Sequence, residues 1–168
     1  EGEEGARGPV GRHRDAQPGI SESSLADTWQ VVSLLLDYPD EVLVSRVPML
    51  RGVVGALPDA QREPLTEMLD TIEHGDLAAL QQEYVDTFDV TRKCSLHLTY
   101  FPQGDTRRRG VALVEFKQAY RKAGVEFDSD AELPDHLCVV LEFGAVQDWA
   151  TAWHLLTRHR VGVEVLGQ

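Results

Sequence analysis

Ser95, His97 and Asp105 carry the side chains of a hydrolytic triad. A nucleophilic serine needs a sharp turn that exposes its oxygen beside the base. No G-x-S-x-G elbow and no strand–turn–helix pattern surrounds Ser95. Cys94 with His97 or His136 could form a thiol–imidazole pair, but the apolar run around Cys94 marks a small buried side chain rather than an activated thiolate. The six histidines stand at 13, 74, 97, 136, 154 and 159. No two fall at i, i+4 around a glutamate, His154 and His159 do not share a helix face, and Asp135-His136 reverses the His-Asp order of metal phosphohydrolases. The pattern points to no catalytic residue, no metal and no cofactor. The block Gly104-Asp105-Thr106-Arg107-Arg108-Arg109-Gly110 has glycine, a helix start and three arginines. It is not a phosphate-binding P-loop, because no Gly-Lys-Ser/Thr follows. The run Arg107–Arg109 could hold an anion or a nucleotide phosphate, or it could be a solvated helix face paired with nearby carboxylates.

A different chemistry is concentrated between Tyr84 and Phe143. Tyr84, Phe88, Asp89, Arg92, Ser95, His97, Tyr100 and Phe101 precede Gly104, and Glu132, Asp135, His136, Glu142 and Phe143 surround a later helix boundary. Aromatic rings beside fixed polar groups are what a peptide-binding groove requires. They are also what a core with internally paired polar groups contains, Arg92 with Asp89 for example.

The elements that must position these residues read as helices. The chain has 168 residues, 42% apolar, enough for one domain with a hydrophobic core. Residues 1–22 contain five glycines and two prolines, and a disordered tail is expected there, followed by a helical domain over 23–168. Ser24 with Asp27 resembles a capping box, and Leu25, Trp29, Val32 and Leu36 repeat at helical spacing until Tyr38-Pro39. Asp40 caps a second helix, which Pro48 is expected to kink or split. A third runs from about Arg62 to Glu73, and Asp76 caps a fourth with the stripe Leu77, Leu80, Tyr84, Val85, Phe88. Residues 94–101 fit strand or helix equally, and Pro102-Gln103-Gly104 breaks that run. Asp105 or Thr106 caps a long helix to about Lys122 with Gly124 after it. Pro134 suits the first turn of the next helix. Asp148 caps a last helix whose apolar stripe is Trp149, Ala152, Trp153 and Leu156. The fold class is all-α, a single helical bundle.

Net charge is −12, from 16 Lys+Arg against 28 Asp+Glu. So acidic a surface repels phosphate backbones and anionic lipid and favours a basic partner segment, chiefly through its association rate. Cys94 and Cys138 lie far apart with no C-x-x-C pair, as in a reducing compartment. No stretch approaches the roughly 18 apolar residues of a membrane span, and residues 1–20 hold no signal-peptide core. A cytoplasmic protein that binds no nucleic acid and does not insert into membranes is expected.

Several motifs follow one another in a familiar order: Tyr84-Val85-Asp86-Thr87-Phe88-Asp89, Arg92, Ser95-Leu96-His97-Leu98, the Gly104–Gly110 block, Glu132-Leu133-Pro134-Asp135-His136-Leu137 and Leu141-Glu142-Phe143. With Leu34-Leu35-Leu36-Asp37-Tyr38-Pro39, they resemble the NarJ-type nitrate reductase molybdenum cofactor assembly chaperones, or delta subunits, within the redox enzyme maturation proteins. The resemblance covers roughly Ser24 to Leu166. Tyr100-Phe101-Pro102-Gln103 departs from the aromatic–histidine stretch usual in that family. The resemblance implies an all-helical, non-catalytic chaperone that binds the N-terminal segment of the apo catalytic (alpha) subunit of nitrate reductase. It would keep that subunit open for molybdenum cofactor and iron–sulfur insertion and delay membrane docking. Asp105, Arg109 and Pro134 of the matched motifs join the peptide-binding set. Tyr84, Phe88, Tyr100 and Phe143 are then expected as apolar lining, and Arg92, Asp135, His136 and Glu142 as polar anchors. His136 reads either as a titrating contact or as a satisfied cap. Family members usually continue through further helices, so exposed apolar surface is expected, and with it a homodimer or aggregation. A structural helical subunit and a nucleotide-binding protein using Arg107–Arg109 are the alternatives.

Overall fold

The computed structural model describes residues 21–104, 106–127 and 132–167. Among them lie nine α-helices: α1 (Glu22–Leu35), α2 (Glu41–Gly55), α3 (Asp59–His74), α4 (Leu77–Tyr84), α5 (Tyr100–Gln103), α6 (Arg107–Lys122), α7 (Leu137–Val146), α8 (Trp149–Arg158) and α9 (Arg160–Leu166). A π-helical turn, Val85–Val90, and a 3-10 turn, Arg92–Cys94, join α4 to the loop before α5. The all-α expectation holds. The tail expected over residues 1–22 lies outside the described residues up to residue 20.

Helix α1 organises the rest because it is buried on two sides. Trp29 enters a core with Phe116, Tyr120, Val140, Leu141 and Leu155. Val31 and Leu35 enter a second core with Leu43, Val47, Leu50, Val54, Leu69 and Ile72 from α2 and α3. Helix α7 packs against α1 and α8, and the fit is tight: a Cβ at Gly144 would lie 2.3 Å from the Trp29 ring and 2.6 Å from the Ala152 Cβ.

The aspartate caps behave as local chemistry dictates. Asp40, Asp76 and Asp148 accept from the N–H groups of Leu43, Ala79 and Thr151 at 2.7, 3.0 and 3.0 Å. Other boundaries differ from expectation. The cap of α1 is Ser21, whose Oγ accepts the Ser24 N–H at 3.1 Å, so Ser24 lies inside the first turn. Pro48 does not split α2, whose stripe Leu43, Val47, Leu50 and Val54 is buried through the proline. Helix α3 begins at Asp59, directly after Pro58, rather than at Arg62. Gly124 does close the segment after α6, at φ 84°.

The ambiguous run 94–101 is neither strand nor one helix. Leu96, Leu98 and Thr99 are buried, and a single antiparallel bridge joins His97 to His136. The Leu137 N–H donates to the Leu96 carbonyl at 2.8 Å and the Leu98 N–H to the Asp135 carbonyl at 3.0 Å. That pairing, with the Tyr120 hydroxyl bonded to the Pro134 carbonyl at 2.6 Å, keeps Pro134 out of α7. His136 is the cap instead, its Nδ1 accepting the Cys138 N–H at 3.2 Å. Pro102 sits within short α5, which Gly104 ends. The expected last helix is two, divided at His159. Of its predicted stripe only Ala152 is fully buried. Trp149 and Trp153 are exposed, Trp153 stacked on Trp29 at 6.3 Å, and Leu155 takes the inward place. Both cysteines are half-buried rather than buried, and burial pushes the Cys138 thiol up to about 12, Asp37 and Glu132 adding to it.

Helix α9 closes over the loop before α5. A Cβ at Gly162 would stand 2.3 Å from the Leu98 carbonyl oxygen, a backbone atom that cannot yield. Gly162→Ala is therefore expected to cost about 1–3 kcal/mol. Gly52→Ala, in an exposed helix position with nothing within 4 Å, is expected to stabilise by about 0.4–1 kcal/mol. Urea unfolding of the two variants beside the parent checks both signs.

Burial lowers the pKa values of His136 and His159; Glu132 opposes the shift at His136 and Glu115 at His159. Protonation at His136 Nδ1 also removes the cap of α7. The unfolded chain thus binds more protons, so this stabilisation is complete above the unfolded histidine value of about 6.5 and is lost as pH falls toward the lowered folded values. The urea midpoint is expected to drop between pH 7.5 and 5.5, and His136→Asn, which can cap without titrating, should flatten that slope.

Candidate functional site

The stripe of α4 ends in the π-helical turn, a geometry that often marks functional sites. Gln81 Nε2 donates to the Pro39 carbonyl at 2.9 Å and the Tyr84 hydroxyl to the Leu36 carbonyl at 3.1 Å, fastening α4 to the end of α1. Tyr84 meets Tyr38 edge-on at 5.5 Å and Phe88 at 4.8 Å. Burial raises the pKa of the Tyr84 phenol above its ordinary range, so it remains a neutral donor.

Phe88 is the common wall of two cavities. One, of about 270 Å³, is apolar and lies between α1, the start of α2, α3 and α4, lined by Leu36, Leu43, Met68, Ile72, Leu80 and Tyr84. The other, of about 420 Å³, is half polar: beside Val90 and Leu133 it carries Asp89, Arg92, Ser95, His97, Tyr100 and Arg109. The apolar slot and the more polar pocket thus share one ring.

The polar pocket is built from beneath. Asp135 has no solvent exposure, and its Oδ2 accepts the Thr99 N–H at 3.1 Å and the Thr99 hydroxyl at 2.6 Å. Arg109 Nε donates to the same hydroxyl oxygen at 3.3 Å, with its Nη2 3.9 Å from Asp135 Oδ2. The guanidinium carbons of Arg109 and Arg92 each stand 5.3 Å from the Tyr100 ring centre. Gly104 makes room for Arg92: its φ of 58° suits glycine, and a Cβ there would lie 3.1 Å from Arg92 Nη2. His97 Nε2 lies 3.1 Å from Glu132 Oε1, and the His97 and His136 rings meet edge-on at 5.1 Å. Burial pushes the Glu132 carboxyl up, but the Leu133 N–H, His136 and His97 outweigh it and hold it below its ordinary value.

The predicted residues therefore divide. Tyr84, Phe88, Asp89, Arg92, Ser95, His97, Tyr100 and Arg109 come together around the two cavities. Asp135 supports them from the core, His136 caps α7 beside them, and Pro134 offers its carbonyl to Tyr120. Glu142 and Phe143 line a separate cavity of about 270 Å³ with Tyr120, Val125, Phe127 and Val139, and Phe143 is buried core. Asp105 lies outside the described residues. Arg107 and Arg108 are exposed, and only Arg109 of that run turns inward. Thr99, which no motif signalled, is the link between Asp135 and Arg109. Leu36, Met68 and Leu80 were legible only as helix-stripe residues.

The arrangement suits binding better than catalysis. The Ser95 hydroxyl accepts the His97 backbone N–H at 3.3 Å, which engages it with the main chain. Among the described residues Asp70, Glu73 and His74 group as potential metal donors. All are exposed, and Arg51 already bridges both carboxylates.

The chain is similar to known proteins over most of this architecture. The model of the nitrate reductase delta subunit family matches residues 55–160. The probable nitrate reductase molybdenum cofactor assembly chaperone NarJ of Bacillus subtilis is 32% identical over 140 residues, 83% of this chain and 76% of that protein. NarJ of Escherichia coli, a nitrate reductase molybdenum cofactor assembly chaperone, is 34% identical over 67% of this chain, but the matched part spans only 49% of that relative. The nitrate reductase-like protein NarX of Mycobacterium tuberculosis is 36% identical over 82% of this chain, which amounts to 21% of its own length. A crystal structure of a putative redox enzyme maturation protein from Archaeoglobus fulgidus shares the fold, with a TM-score of 0.56 at 24% identity over 94% of this chain and all of that one. The family match covers every residue that lines the polar pocket and the α3 and α4 side of the apolar slot, and the chain belongs to the nitrate reductase delta subunit family.

Proposed function

We propose that this protein is a dedicated chaperone of nitrate reductase assembly, binding the N-terminal segment of the apo catalytic (alpha) subunit. The observation that carries the reading is the apolar slot and polar pocket that share Phe88. An amphipathic segment laid across that ring puts apolar side chains into the slot beside Tyr84 and polar groups against Arg92, Tyr100 and Arg109. The net charge of −12 favours a basic segment as it approaches. Ordering such a segment costs about 2–5 kcal/mol of the gross interaction, so binding is moderate and release easy, as holding an apoenzyme for cofactor and iron–sulfur insertion requires. The names of the NarJ relatives support the client. The holding step belongs before membrane docking, in the cytoplasm, and no helix among the described residues is long and apolar enough to cross a membrane.

Isothermal titration with a synthetic peptide of the first fifteen or so residues of the catalytic subunit tests this, against a scrambled peptide. Saturable binding to the native peptide alone, with a negative heat-capacity change, is expected. Phe88→Ala should weaken it by about tenfold or more, since the ring serves both cavities. Equal binding of the scrambled peptide, or full affinity in a folded Phe88→Ala variant, would sink the reading.

The exposed side chains of Val146, Trp149 and Trp153 on α7 and α8 support the homodimer reading. Light scattering at rising concentration should show a mass above the monomer's 18.7 kDa, and Trp153→Glu should return it to that value. A monomer throughout rules the dimer out.

A further inference from the structure

We propose that Asp37 and Glu83 are specificity-determining residues of the apolar slot, making it selective for an amphipathic segment whose apolar anchor is flanked by lysine or arginine; this rests on the slot being the seat of a segment, whichever client supplies it. The net charge of −12 is not spread evenly along the chain. Twelve carboxylates stand against three arginines between residues 37 and 89, and eight lysines and arginines against two carboxylates between 92 and 122. Six of those twelve have local work. Asp40 and Asp76 cap helices, Asp59 holds Arg62, Asp70 and Glu73 share Arg51, and Asp86 accepts from the Gln82 amide at 3.0 Å. Asp37 and Glu83 are placed differently. Both are exposed, neither is paired with a cation among the described residues, and they are the charged side chains that line the slot.

Their positions are not those of a solvated helix face. The slot-facing stripe of α4 and its π-helical turn runs Leu80, Glu83, Tyr84, Thr87, Phe88. Glu83 thus occupies a place where the amphipathic pattern calls for an apolar side chain. Asp37 follows Leu35 and Leu36, which line the slot from the end of α1. Its Oδ1 accepts the Tyr38 N–H at 2.8 Å, which leaves Oδ2 for a ligand. The local field is negative: burial raises the Tyr84 phenol, and Asp37, Asp89 and Glu132 raise it further. A lysine or arginine suits such a wall, because its methylene stem lies along apolar surface while its head reaches a carboxylate. An acidic segment would meet unpaired like charge. The pocket that shares Phe88 carries Arg92 and Arg109 against Asp89, so a bound segment lies with its cationic side chains toward the slot.

The test is isothermal titration of the full chain at low ionic strength with three synthetic helical probes. They share one stripe of leucine and phenylalanine and carry lysine, glutamine or glutamate beside it. The lysine probe is expected to bind about fivefold or more tightly than the glutamine probe, with the glutamate probe weakest, and the preference should shrink as salt is raised. Asp37→Asn with Glu83→Gln should bring the first two probes together. Glu63→Gln with Glu67→Gln, an equal change of charge on exposed carboxylates outside the slot, should keep the preference. Asparagine retains the acceptor for the Tyr38 N–H, and an unchanged urea midpoint shows that the fold is kept. Phe88→Ala should weaken the lysine probe, as binding in the slot requires. No preference for lysine in the parent, a preference that survives the Asp37 and Glu83 changes, or an equal loss in the Glu63 and Glu67 variant would each overturn the proposal. The native client segment is titrated alongside. Native binding without a lysine preference leaves the client and removes the role of the two carboxylates, and a lysine preference without native binding does the reverse.

Discussion

A carboxylate withdrawn from water must be satisfied by the chain around it, and Asp135 imposes that demand on this fold. Leaving such a group without partners costs several kcal/mol, so the backbone has to bring donors to it. Thr99 supplies two, its N–H and its hydroxyl. To deliver them, the loop before α5 must run antiparallel to the segment before α7, which is the His97–His136 bridge. Once that bridge exists, Leu96 and Leu98 fall into the main core, His97 turns outward, and Arg109 lands on the Thr99 oxygen. The pocket walls are consequences of satisfying one buried charge. Asp135 Oδ1 has no hydrogen-bond partner among the described residues, and Arg109 Nη2 stands 3.9 Å from Oδ2.

The two cores share α1, and the apolar slot opens where they meet, at its C-terminal end. The helix that carries Trp29 into one core carries Leu35 into the other, and Leu36 then lines the slot. The slot is lined by side chains of both, Tyr84 and Phe88 beside the first and Leu43 and Ile72 from the second. A partner seated against Phe88 is thereby linked, through Tyr84 and the Leu36 carbonyl, to the helix that joins them.

What could be read from the sequence follows from the range of each interaction. The caps Asp40, Asp76 and Asp148 bond within three residues, so composition and spacing place them correctly. The helical character and the ring pair Tyr84 and Phe88 follow from periodicity. Pro134 was misplaced because its position is set by Tyr120 and Leu98, which are distant in sequence. Trp149 and Trp153 were expected inside because they are large and apolar, yet Gly144 and Ala152 let α7 and α8 approach so closely that Ala152 and Leu155 fill the interface. Glu142 and Phe143 form the motif that follows that of Asp135 but line another cavity, since they stand on α7, more than a turn beyond its His136 cap. Thr99 gave no sign, because a buried threonine acquires its role only when a carboxylate thirty-six residues away folds onto it.

Gly162 carries an implication for the order in which the molecule is made. The loop from Leu96 to Thr99 is pressed on one side by Asp135 and on the other by α9, whose backbone at Gly162 nearly touches the Leu98 carbonyl. During vectorial synthesis the residues of the apolar slot leave the ribosome first and can begin to pack while the rest is still being translated. The polar pocket must wait for its floor at Asp135 and for its clamp at Gly162. A nascent chain caught before that point would hold a formed slot beside an unfinished pocket. The complete surface, and any affinity that depends on both halves, emerges only when α9 has been released and has closed.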